Sequence, residues 1–157
     1  MSFNPKHVAL LLMVVALSWA GCQGPVVYEE HQALPPEGWP QNQKLVFQTE
    51  ITDTASLHEL YLDIRNTTGY EYRNLFLYLD ITFPEGTILR DTIEATLAEP
   101  SGKWIGKGFG AIKTNRFLFR DQVWFPQQGT YTFILQHGMR EQTLEGVSDI
   151  GIRIERK

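Results

Sequence analysis

The chain has 157 residues, with 18 Asp and Glu against 14 Lys and Arg, and a formal charge of −4. That length makes one domain able to bury about two thirds of its unfolded surface, and the mild acidity excludes a nucleic-acid partner, which would want a basic stripe. The single cysteine excludes an intrachain disulfide framework.

Lys6 and His7 precede an almost unbroken apolar run, Val8 to Leu17. The run is too short for a spanning helix, which needs about 20 residues, and has the length of a signal-peptide core. It leads into Leu17-Ser18-Trp19-Ala20-Gly21-Cys22. Small residues directly before a lone cysteine read as a lipobox, with Trp19 standing where Leu is usual. Residues 1–21 are then a lipoprotein signal peptide, cleavage falls before Cys22, and Cys22 is lipidated. The plainer alternatives are an ordinary secretory signal cut nearby or a short membrane anchor. Losing residues 1–21 removes Lys6 and no acid, so the formal charge moves from −4 to −5. Each buried methylene contributes about 0.8 kcal/mol, so two or three acyl chains attach the protein in effect permanently. No acidic cluster follows Cys22, and the expected location is a bacterial envelope membrane, facing the periplasm.

Residues 22–40 carry Pro25, Pro35, Pro36 and Pro40 and little periodicity. They read as a lipidated N-terminus and extended linker, with Val26-Val27-Tyr28 able to pair briefly at a sheet edge. Fully extended, such a linker spans at most about 60 Å. Glu29-Glu30 reads as a solvated charge pair.

Residues 41–157 follow a β pattern. Leu60, Leu62 and Ile64 alternate with Tyr61, Asp63 and Arg65, the period-2 signature of a half-buried strand. Asn66-Thr67-Thr68-Gly69 is expected to turn. Leu75, Leu77, Leu79, Ile81 and Phe83 share one face, and a slip of one residue would turn all five away from the core. Pro84 to Thr87 turns a hairpin into Ile88–Leu97. Phe117–Phe119 and Val123–Phe125 read as separate apolar stretches, followed by alternation over Thr130–Met139 and a last strand with Ile150, Ile152 and Ile154. About eight strands, with no helical period, predict an all-β antiparallel sandwich, one arrangement of which is the jelly roll.

Residues with chemical potential are sparse. His31, His58 and His137 are scattered, without the convergent spacing of a zinc site. Gly106-x-Gly108-x-Gly110 lacks the helix start that a phosphate cradle needs and reads as glycines that let the sheet bend or let another chain segment approach closely. Asp91 and Glu94 fall on opposite sides of a strand, unlike the paired acids of a glycosidase. The expectation is a protein that is not an enzyme and uses no cofactor and no metal. Tyr70, Tyr72, Phe76 and Tyr78 share even numbers and, on an extended chain, line the face opposite Leu75–Phe83. They form a candidate binding face, unless a loop covers them or the strand is buried on both sides.

Several short motifs occur in a telling order: Ile64-Arg65-Asn66; Tyr70-x-Tyr72-x-Asn74-Leu75; Asp91-Thr92-Ile93-Glu94; Gly102-Lys103-Trp104-Ile105-Gly106-x-Gly108; Tyr131-x-Phe133; Met139-Arg140; and Asp149-Ile150-Gly151-Ile152-Arg153. With the lipobox, this order resembles the GldH family of gliding-motility lipoproteins from Bacteroidota, from Cys22 to near the C-terminus. The resemblance implies a role in gliding, in the envelope system that also serves type IX secretion, with envelope or gliding-machinery proteins as partners. It implies no catalytic residue. Asp53-Thr54-Ala55 looks like a Bacteroidota O-glycosylation site, with Thr54 as acceptor. The alternative function is a glycan-binding or glycan-cleaving sandwich, with Trp39, Trp104 or Trp124 as stacking platforms. A carrier that adds a strand at an open edge is a third reading.

Overall fold

The computed structural model describes residues 25–157. The signal segment and Cys22 lie outside the described residues. Ten strands run in chain order: β1 (Val26–Ala33), β2 (Trp39–Pro40), β3 (Leu45–Ile51), β4 (Leu57–Thr67), β5 (Asn74–Thr82), β6 (Ile88–Thr96), β7 (Ile112–Trp124), β8 (Gly129–His137), β9 (Thr143–Leu144) and β10 (Val147–Arg156). Eight of them form two four-stranded antiparallel sheets, ordered β1-β10-β4-β7 and β3-β8-β5-β6, while β2 and β9 pair separately. Along the eight long strands the chain changes sheet at every connection except the β5–β6 hairpin. This is the eight-stranded jelly roll expected as one arrangement of the sandwich.

The core forms where the inward alternation of each sheet meets the other. Leu60, Leu62 and Ile64 on β4 and Ile150, Ile152 and Ile154 on β10 face Leu75, Leu77 and Leu79 on β5 and Tyr131, Phe133 and Leu135 on β8. All are buried. On one side of the sandwich β1 lies beside β3, where Gln32 Nε2 donates to the Val46 carbonyl at 2.7 Å. On the other side the edges are β7 and β6, tied by the Arg120–Asp91 ion pair.

The two ends of the sandwich differ. The chain enters at one pole, where Val26 pairs with Glu155, Glu155 with Glu59, and Leu57 with Trp124. The turns around Thr52–Ser56, Pro84–Thr87 and Phe125–Gln128 also lie at this N-terminal pole. A run of edge-to-face rings plugs it: His58 on Phe125, Phe125 on Tyr131 and Tyr131 on Phe83. The far pole is plugged by Trp39, Leu144, Tyr70 and Met139, with Trp39 edge-on to His137 at 5.3 Å.

Four expectations need correction. The linker over 22–40 is contradicted over Val26–Ala33, which is a full strand paired along β10. Its polar residues alternate between two partly wet surfaces, and prolines flank it rather than interrupt it. Phe117–Phe119 and Val123–Trp124 are not separate stretches: β7 runs through them and ends before Phe125, with Gln122 at φ 55° and register shifts opposite His58 and Leu60. Such bulges reset the alternation and hide continuity from a period-2 reading. Asn66 does not open a turn, because β4 continues through it to Thr67. Tyr70 and Tyr72 do not continue the outer face of β5, as the site geometry below explains.

His137 supplies a pH prediction. Burial pushes its pKa below the ordinary 6.5. The unfolded chain therefore takes up the proton first as pH falls below about 6.5, and stability is lost there, by at most about 1.4 kcal/mol per pH unit for one proton. Above that pH the group contributes nothing. Urea midpoints measured from about pH 7.5 to about 5.5 should fall in the wild type and fall less in His137→Leu. Parallel profiles would remove His137 as the cause.

Candidate functional site

The far pole carries an arm built by glycines. After β6 the chain runs through Ala98, bridged to Trp104, and returns toward β7. Lys107 and Thr114 exchange backbone hydrogen bonds of 2.9 and 2.8 Å, so residues 107–114 close into a tight loop. Gly108 sits at φ 143°, and a Cβ there would lie 2.5 Å from the Ile112 carbonyl oxygen; Gly110 sits at φ 70°. Both conformations favour glycine, which lacks the Cβ that would strain them. Phe109, held between them, is fully exposed, with Ile105 and Ile112 exposed on either side. The Gly106-x-Gly108-x-Gly110 spacing thus serves close chain approach, one of the two readings its sequence allowed.

Beneath the arm is an open cavity of about 470 Å³ between the β6 and β7 edges, lined by Leu97, Ile105, Gly106, Lys107, Asn115 and Phe117 among others. At its base Asn115 Nδ2 donates to Asn66 Oδ1 at 3.0 Å, while Asn115 Oδ1 finds no donor among the described residues. Gly106 passes so close that a Cβ would meet that oxygen at 2.7 Å. A buried acceptor without a partner costs about 1–3 kcal/mol, and Gly106 covers this one from the cavity.

A second cluster crosses the outer face of the β1-β10-β4-β7 sheet. Strand register aligns His31 with Gly151, Gly151 with Asp63, and Asp63 with Arg116. Arg116 grips Asp63 with two bonds, Nε to Oδ1 at 2.8 Å and Nη2 to Oδ2 at 2.7 Å, and reaches Glu29 at 3.2 Å. Arg153 bonds Glu29 at 2.5 Å, and Arg65 bonds Asp149 at 3.2 Å. His31 lies 3.4–3.6 Å from Asp149, Glu29 and Asp63. Its ring rests over Gly151, where a Cβ would meet Nδ1 at 2.5 Å. Ligand atoms of Glu29, His31 and Asp63 lie within 4.8 Å of one another, close enough to share a metal. The guanidinium groups already engage those carboxylates, so the arrangement serves as an ion-pair lattice fastening β1 to three other strands. Sequence read Glu29 as solvated and Asp63 as outward. The lattice explains why Asp63 is only 2% exposed on an outer face.

The aromatic face expected from Tyr70, Tyr72, Phe76 and Tyr78 is divided. Only Phe76 and Tyr78 lie on β5, and both are exposed there. Tyr70 turns into the core and its hydroxyl donates to the Asn74 carbonyl at 2.9 Å. Tyr72 is partly buried and donates to Glu141. The reason is local: the chain from Gly69 to Arg73 is a turn and bend, not a strand, so even numbering does not carry a common face through it. Thr54 sits in a loop between β3 and β4, and its carbonyl accepts from Trp124 Nε1 at 2.7 Å. Of the three tryptophans considered as glycan platforms, Trp39 is fully buried, Trp104 packs against the core, and Trp124 alone is exposed.

The sequence pattern of the GldH lipoprotein family matches residues 26–154. The chain belongs to the GldH lipoprotein family. It is 31% identical over 153 residues, 93% of each chain, to a protein of Christiangramia forsetii described as a gliding motility lipoprotein GldH homolog. It is 29% identical over 159 residues, 97% of this chain and 98% of the other, to the gliding motility lipoprotein GldH of Flavobacterium johnsoniae. The match includes β1, which places Val26–Ala33 inside the GldH domain. Among solved structures, the VP2 subviral particle of infectious bursal disease virus aligns at a TM-score of 0.34 and 12% identity, over 82% of this chain and 30% of that one. That likeness is too slight to bear on function.

Proposed function

We propose that this GldH lipoprotein acts without catalysis, as a docking subunit of the gliding machinery within the envelope system linked to type IX secretion. Acyl chains on Cys22, palmitate among them, hold it in the membrane with the domain facing the periplasm. The observation that carries the reading is the placement of Phe109, fully exposed at the tip of a glycine-shaped arm, at the pole opposite the chain entry. An exposed aromatic anchor beside an open cavity fits a protein partner. The ion-pair lattice supports the same reading, since it fastens β1, the strand nearest the tether, into the sheet.

Burying a Phe side chain contributes about 1.5–3 kcal/mol, so Phe109→Asp should weaken partner capture by at least about tenfold. Stability should change by less than about 0.5 kcal/mol, because Phe109 is fully exposed. Tagged wild-type and variant proteins, purified from cells in mild detergent, check this. Equal recovery of the same envelope proteins by both would remove the arm from the docking surface.

A further inference from the structure

We infer that the N-terminal pole of the sandwich is seated on the lipid bilayer, with the Trp124 ring at the headgroup boundary. This deepens the proposed function and rests on its lipidation of Cys22.

Only Gln23, Gly24 and Pro25 separate Cys22 from Val26. Fully extended, that step spans at most about 14 Å. The entry point of the domain is therefore held close to the membrane, not standing off by the length of a linker. Strand β4 alone has 11 residues, about 33 Å at 3.3 Å per residue, so on an upright domain the far pole is out of the bilayer's reach.

The pole so held is apolar where it is exposed. Val26, Leu57, Ile88, Leu89 and Trp124 are all exposed there. Trp124 is the most exposed of the five, at 58%, and its Nε1–H is already bonded to the Thr54 carbonyl. A ring with one satisfied polar edge and one open apolar face suits a membrane interface. The cations nearby are spoken for: Arg156 by Asp53, Lys157 by Asp121 and Glu59, and Arg120 by Asp91. The contact is therefore apolar, not an attraction to acidic headgroups. The Ile105, Phe109 and Ile112 cluster at the far pole stays free for protein. An O-glycan on Thr54 would stand between Trp124 and the bilayer, so the two arrangements exclude each other.

The test uses the acylated full-length mature protein in phosphatidylcholine vesicles, comparing brominated with unbrominated chains. Bromine quenches only tryptophans at the lipid boundary. Trp39 and Trp104 at the far pole are internal controls. The seating predicts a loss of up to about a third of the emission, the share of one of three tryptophans in the mature chain. The loss should vanish in Trp124→Phe and persist in Trp104→Phe. Protein that floats with the vesicles yet shows no bromine effect overturns the seating and leaves the anchor standing. Protein that does not float overturns the anchor, and the seating with it. A glycan mass on Thr54 in the native protein also overturns the seating.

Discussion

Replacing Cys22 with Ser should move the protein from the membrane fraction to the soluble fraction. The Val8–Leu17 run is too short to hold as a span, and among the described residues no helix is long and apolar enough to cross a membrane. In the proposed account attachment depends on acyl chains at one sulfur. A single chain binds only marginally, with an association constant of about 10⁴ M⁻¹, and two or three make release negligible. Fractionation with an intact-mass measurement checks both steps. A variant that lacks the acyl mass but still sediments with membranes would contradict the anchor.

Phe133→Ala should cost about 3–5 kcal/mol, a large share of the 5–15 kcal/mol that holds a typical domain. Phe133 is fully buried on β8, with Phe47 and Ile81 as its register partners on β3 and β5. Strands on both sides prevent the sheet from closing over the cavity. Val46→Ala provides the contrast, since Val46 is on the adjacent β3 but faces solvent, and should cost less than about 0.5 kcal/mol. Urea titration of both variants checks the difference. Equal midpoints would mean that the two sheets do not pack through β8.

The strands that sequence predicts well are those with strict inward alternation. Leu75 to Ile81 and Tyr131 to Leu135 specify their register, because any slip would expose several large side chains. What sequence could not supply is which strand lies beside which. The lattice of Glu29, Asp63, Arg116 and Arg153 joins residues up to 124 positions apart, and no periodicity encodes that meeting. β1 was legible only as a brief edge pairing of Val26-Val27-Tyr28, for a related reason: as an edge strand with Glu and Gln on its covered side, it lacks the apolar stripe that marks a strand. Tyr70 and Tyr72 show the opposite error, where correct spacing was extended past the end of the strand. The arm was half legible. Gly106, Gly108 and Gly110 signalled a close approach, but the exposure of Phe109 depends on a loop closure through Lys107 and Thr114.

The central claim is that this GldH lipoprotein works by contact at the pole away from its anchor. It is tested most directly by surface spreading of cells in which Phe109→Asp replaces the wild-type residue, with membrane abundance matched to wild type. The account predicts that spreading is lost while the protein stays folded and membrane-bound. Spreading equal to wild type would contradict it.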